Sequence, residues 1–268
     1  MPVAHLEDRA VLAVAGPEAR GFLQGLITND VEQLAPGKGL YAALLTPQGK
    51  ILFDFFLAEG DGAILIDCAA PARDALLKRL SLYKLRSKVT LEARDQLAVI
   101  AEWDGTMAKY AIAYPDPRLP ALGSRGFIAR AEMRHDLADA ARYRAHRLQL
   151  GVPEAADFGS DRMFALDADL DELHGVDFTK GCYVGQELTA RMKHRGTARK
   201  RLLAFEASGA VAGAAVKAGD KDIGEIASAY EGRGFAQIRL DRLDEAGDAP
   251  LLTGDVSVKL IKPKWLFP

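Results

Sequence analysis

Lys180-Gly-Cys-Tyr-Val-Gly-Gln-Glu-Leu-Thr-Ala-Arg191 is the stretch from which the rest of the chain is read. Gly181 and Gly185 bracket Cys182, one of only two cysteines. Glycine turns without a Cβ penalty, so Cys182 is expected on a bend. From Gly185 to His194 the residues favour helix, and Glu187 stands four positions before Arg191, the better order for a helical ion pair. The thiol then lies just ahead of a helix N-terminus, where partial positive charge and the neighbouring Lys180 favour thiolate. A small buried hydrophobe is the other use of such a cysteine; the two glycines and the cation select a working thiol.

Outside this stretch the composition is that of a globular protein. The 268 residues, 49% apolar and 27% charged, can bury a large core divided into two or three compact units. A net charge of −2 speaks against a general nucleic-acid binder or a polybasic membrane protein. Cys68 and Cys182 are too few and too far apart to hold a metal or a cluster, so no intrinsic metal is expected. Sparse cysteine usage suits a reducing compartment, and the run from Ala10 to Ala15 is too short for a signal peptide. No apolar stretch is long enough to span a bilayer. The expectation is a cytoplasmic protein without a membrane partner.

Strands are predicted at Val11–Ala15, Tyr41–Thr46, Ile51–Ala58 and Ala63–Cys68, with a hairpin turn at Pro47-Gln48-Gly49. Helices are predicted after Pro17 and over Pro71–Leu85. Lys88–Ala93, Leu97–Trp103 and Phe127–Ala131 read as further strands of the same sheet, and Tyr114–Arg125, with three prolines, as an irregular connection. A helix from Asp136, as its cap, runs to Leu150 before Gly151. The acidic run Asp167, Asp169, Asp171, Glu172 reads as a solvated loop, since it lacks the mid-loop glycine and last glutamate of an EF-hand. The basic run Arg191 to Arg201 reads as a charged surface, with RNA as the other occupant. From Arg199 short strands predominate, which marks 199–268 as a separate β-barrel domain and 1–198 as an α+β region. Walker A, Gly-x-Ser-x-Gly, His-Glu-x-x-His and Cys-x-x-Cys patterns are absent.

Lys180-Gly-Cys-Tyr-x-Gly-Gln-Glu resembles the signature of the YgfZ-type folate-binding, iron–sulfur cluster assembly family, relatives of the glycine-cleavage T protein (aminomethyltransferase). Gly16–Asp30, with its Thr28-Asn29-Asp30 turn, Tyr41–Asp54 and Ile223–Ser228 are similar to further family segments, in the same order. The resemblance implies an α+β fold of two modules and a C-terminal barrel around a central cavity. The first module would be discontinuous, so that segments near Leu40 and Lys180 meet. It also implies a tetrahydrofolate-type ligand contacted by Asp54, Arg147 and Gln149, and a functional Cys182 within the motif Lys180, Gly181, Tyr183, Gly185, Gln186, Glu187 and Arg191.

Two positions depart from the transferase pattern. Phe53 stands where a first acidic residue precedes Asp54, and Gln149 where a glutamate meets the pterin. A phenyl ring cannot steer a proton, and an amide pairs more weakly with a guanidine-like edge. The leading expectation is therefore an accessory factor for assembling or repairing [4Fe–4S] proteins, working with cluster carrier or client proteins rather than as an enzyme. A folate-dependent one-carbon transferase and an RNA-modification accessory are the alternatives.

Overall fold

The structure is a computed structural model and describes residues 2–105, 112–133, 137–196 and 199–267. The chain opens with β1 (Val3–His5), too short to show any alternation in sequence, and β2 (Arg9–Ala15). There follow α1 (Ala19–Gln24), β3 (Leu40–Leu45), β4 (Ile51–Gly60), β5 (Ala63–Ala69), α2 (Arg73–Lys84) and β6 (Thr90–Ala93). Their strands form an antiparallel sheet in the order β3-β4-β5-β2-β6. Strand alternation sorts its side chains. Phe55 and Leu57 join Leu23, Leu76 and Leu80 beneath α1 and α2, whereas Tyr41, Phe56 and Leu65 face the molecular interior.

The expectation that the strands up to residue 131 share one sheet is corrected. β7 (Leu97–Glu102), β8 (Ile112–Pro115) and β9 (Ser124–Ala129) build a second sheet with the order β1-β7-β9-β8. All six residues of β7 are buried, so layers cover both its faces. The supposedly irregular stretch Tyr114–Arg125 thus begins and ends in strands.

α3 (Ala140–Gln149) is capped by Asp139, whose carboxylate accepts from the Ala141 amide; the cap expected at Asp136 lies outside the described residues. α4 (Ala155–Phe158) and α5 (Gln186–Arg195) follow. The acidic run between them is not a solvated loop. Asp167 and Asp169 are buried, and Arg201 donates to Asp171 at 2.8 Å.

The C-terminal part comprises β10 (Lys200–Glu206), β11 (Ala215–Ala218), β12 (Lys221–Tyr230), β13 (Arg233–Arg239), α6 (Leu240–Ala246), β14 (Leu251–Thr253), β15 (Val256–Ser257) and β16 (Lys259–Ile261). Its seven-stranded sheet runs β15-β14-β11-β12-β13-β10-β16. The two edge strands are separated by Val258 alone, so the edges must lie near each other and the sheet curls into a nearly closed barrel. Leu203, Phe205, Ile226 and Ile238 fill it.

Candidate functional site

The loop carrying Cys182 is pinned from beneath. Lys180 is buried, and its ammonium donates to the carbonyls of Gln24, Ile27 and Asn29 at 2.9, 2.7 and 2.7 Å. All three of its donors are thereby used. Burial pushes this ammonium down to about 8, opposed by the Asp30 and Asp177 carboxylates. The Thr28 hydroxyl donates to Gly175 O, and Asn29 Nδ2 to Tyr41 O and His174 O. The Asp177 carboxylate accepts from the Thr179 and Lys180 amides and fixes the turn leading into the motif. Asp177 escaped the sequence reading, although Asp-x-Thr is a recognisable Asx-turn spacing.

After Cys182 the chain is pinned again. Tyr183 is buried with its ring 5.3 Å from Lys180 Nζ, and Val184 packs against the cluster under α1 and α2. Gly185 caps α5 at φ +80°, and a Cβ there would stand 2.5 Å from Thr46 O and 2.8 Å from Leu45 Cβ. Only glycine fits. Gln186 starts the helix, with its amide bonded to Tyr183 O. Between the two pins the Cys182 thiol is free and exposed.

Two expectations about this loop are corrected. The Lys180 ammonium is turned inward onto three backbone carbonyls and makes no bond to the thiol. Gly181 has no positive φ and no atom within 4 Å of an added Cβ, so nothing in its surroundings demands glycine. Glu187 and Arg191 do pair one turn apart, on an exposed face.

The residues expected to hold folate do not converge. Asp54 is buried on the interior face of β4; one oxygen accepts from Tyr41 OH at 3.1 Å and the other has no partner. It pairs with neither an arginine nor a turn. It borders a cavity of about 300 Å³ with Cys68, Ala155 and Phe158. Arg147 is instead tied to Asp157 at 2.7 Å, and Gln149 is exposed over a different cavity beside Phe205 and Arg233. The three therefore do not line one cavity, although the one beside Arg147 shares Asp8 and Ala156 with that of Asp54. Phe53 packs on the opposite face of β4 from Asp54, and the two share only the cavity's border. Its replacement of an acidic residue thus removes no partner from Asp54's own face, and that reason for excluding transfer chemistry weakens.

Beside Asp54 the interior is held by charges. Arg9 and Arg125 both clamp Asp67, at 2.6 Å each; Arg118 pairs with Asp116 at 2.8 Å and Glu154 at 3.0 Å; Arg147 with Asp157, which also accepts from Ser228 of β12. Four guanidiniums thus meet four carboxylates. The Arg9, Arg118 and Arg125 guanidiniums also lie 4.0 to 5.5 Å from the Phe56 ring. This network joins all three sheets. No local pattern announces it, because Arg9 and Asp67 are 58 residues apart, as are Asp67 and Arg125.

The basic run Arg191 to Arg201, which begins within α5, is mostly exposed, as a charged surface should be. Arg201 is buried against Asp171, and Lys193 pairs with Asp171 at 3.1 Å. Among the described residues no group of three or more His, Cys, Asp or Glu side chains is placed to hold a metal ion.

Comparison with known proteins gives this geometry a family. Residues 199–268 match the model of the CAF17 C-terminal beta-barrel domain. The mitochondrial iron–sulfur cluster assembly factor IBA57 of Mus musculus is 34% identical over 250 residues, which span 80% of this chain and 69% of the mouse protein. The chain belongs to the IBA57 family. The Neurospora crassa IBA57 homolog is 36% identical over 75% of this chain, and the chain spans about half (52%) of that longer protein. A solved structure, the glycine cleavage system aminomethyltransferase T from Bartonella henselae, superimposes with a TM-score of 0.75 over 97% of this chain and 84% of its own. At 14% identity it shows the fold: a T-protein-like α+β architecture with a C-terminal barrel. The cytoplasmic expectation is overturned, because the IBA57 relatives of mouse, human and Neurospora crassa are all named mitochondrial. Sparse cysteine usage suits any reducing compartment, so it could not choose among them.

Proposed function

We propose that this IBA57-family chain assists the assembly of iron–sulfur proteins by presenting the Cys182 thiol as one ligand to a cluster. The cluster is cargo, and a carrier or client protein supplies its remaining ligands. The observation that carries this is the exposed thiol between two buried pins, Lys180 and Tyr183. A thiolate is the ligating form, so the thiol releases its proton to solvent as the sulfur–iron bond forms. One exposed sulfur on a rigid loop binds weakly enough to let the cargo go and is placed well enough to receive it. The names of the relatives support the assembly role.

The test is genetic complementation. Cells lacking the protein receive the wild type, Cys182→Ser or Cys68→Ser, and [4Fe–4S] enzymes are assayed beside cluster-free enzymes. Cys182→Ser at normal abundance should leave the cluster enzymes inactive, while Cys68→Ser restores them. Full restoration by Cys182→Ser rejects the proposal.

A second reading keeps a tetrahydrofolate-type ligand at Asp54, whose unpartnered oxygen at the 300 Å³ cavity is the one feature favouring it. Titration calorimetry with tetrahydrofolate, on the wild type and on Asp54→Ala, tests it; heat that is the same for both rejects it.

A further inference from the structure

We infer that the C-terminal end of α2 is a peripheral docking surface for an anionic lipid bilayer. Among the described residues the large apolar side chains that stand open are Leu82, Leu85 and Val211. Leu82, in the last turn of α2, is 64% exposed, and Leu85, the residue that ends the helix, is 88% exposed, so two large apolar side chains stand open at this end. Leu76 and Leu80 occupy the inner face and are fully buried. The core therefore does not need Leu82 or Leu85.

Leu85 is also held at φ +43°, ψ −108°, a conformation suited to glycine and costly for a branched side chain. Around the two leucines stand Lys78, Arg79, Lys84, Arg86 and Lys88, with no acidic residue between Asp74 and Glu92. Lys84 and Arg86 complement the helix dipole, but Lys78 and Arg79 lie too early for that. Among the described residues none of the five has a carboxylate partner. Nearby acids are few: Glu18, which accepts from the Lys88 amide, and Asp74 and Asp95, both paired with Arg73 at the far end of the helix. A chain of net charge −2 thus carries a local excess of five cations around two apolar prongs.

A bilayer suits this surface better than a protein does. A standard protein interface needs about 800 Å² on each side, far more than two leucines cover. Lipid closes around any prong and rewards each nearby cation. No helix among the described residues is long and apolar enough to cross a membrane, so the contact proposed is superficial.

The test is flotation of the full chain with phosphatidylcholine vesicles, with and without about 30% phosphatidylglycerol, chosen to give a dense anionic surface. Binding to the anionic vesicles alone is expected, with loss in high salt as screening sets in. The triple reversal Lys78→Glu, Arg79→Glu, Arg86→Glu should weaken it by more than about tenfold. Leu82→Ser with Leu85→Gly should also weaken it, and Leu85→Gly keeps the fold because glycine fits that backbone. Unchanged circular dichroism in both variants excludes unfolding as the cause. Equal flotation with neutral vesicles, no flotation, or unaltered binding by the variants overturns the inference. So does retention on immobilised polyglutamate without vesicle binding, which would assign the surface to an acidic protein.

Discussion

The two cysteines sit in opposite surroundings, and their reactivity follows. Cys182 is open to solvent, whereas Cys68 is buried at the border of the Asp54 cavity and burial pushes its thiol up to about 12. Iodoacetamide near neutral pH should therefore alkylate Cys182 and leave Cys68 untouched in the folded protein, as read by peptide mass spectrometry; faster labelling of Cys68 would contradict the structure. Asp54 gives a second residue-level expectation. Burial raises its carboxyl, with Arg9 opposing, so the folded chain holds that proton more tightly than the unfolded one. The stability it contributes is complete below the unfolded pKa and declines as pH rises through the folded value. Asp54→Asn cannot titrate, so its stability relative to the wild type should grow with pH above about 4. Urea midpoints at pH 4, 5.5 and 7 check this, and a constant difference would refute it. Sequence reading reached the exposure of Cys182 and the turn at Gly185 because each is a choice of residue type with a local reason. It misjudged Lys180, whose job is to bond carbonyls more than 150 residues away.

At the level of elements, α5 was legible in full: a positive-φ glycine, helix-forming residues, and basic groups at the end. The hairpin of β3 and β4 was legible because alternation and a Pro-Gln-Gly turn coincide. β1, with three residues, and β8, cut short beside three prolines, carry too little pattern to be seen. The division of the N-terminal strands into two sheets was hidden for another reason: pairing partners are chosen in space, not along the chain. For α5 itself the Glu187–Arg191 pair is exposed, at 85% and 51%, and pairs of this kind contribute about 0.3–0.5 kcal/mol. Arg191→Ala should thus shift thermal unfolding by no more than a degree or so. A larger fall would mean that Arg191 holds more than the helix face. Normal cluster-enzyme activity with the same variant would confine the working residues to the turn before α5.

At the scale of the whole molecule the buried ion network matters most. Arg118 contacts Asp116, Glu154 and the rings of Tyr41 and Phe56. Against burial, which alone would raise it, Arg147 and Arg118 hold the Glu154 carboxyl well below the carboxylate range. Arg118→Met keeps the bulk but takes the nearest cation from buried Asp116 and half-buried Glu154, leaving them Arg125 at 3.8 Å and Arg147 at 3.7 Å. It should cost about 3–5 kcal/mol, read as a lower urea midpoint, and a loss below about 1 kcal/mol would show that the network is not what joins the sheets. The barrel was legible as a run of short strands, and the family likeness supplied the arrangement of parts. The network that fills the interior between them was out of reach, since the bonds that join the sheets, such as Arg9 and Arg125 to Asp67, span 58 residues each.

The clamp of Lys180 on Gln24, Ile27 and Asn29 has a consequence in time. Its partners are made some 150 residues before it, so during synthesis the end of α1 and the loop after it stay unclamped until most of the chain has emerged. Closing so wide a loop costs little more than closing a short one, because the entropy grows only with the logarithm of length; the delay is one of supply. Until Lys180 arrives, the turn that exposes Cys182 has no floor. A half-made chain therefore lacks an organised turn here, and the Cys182 thiol is held in place only once both ends of the clamp exist.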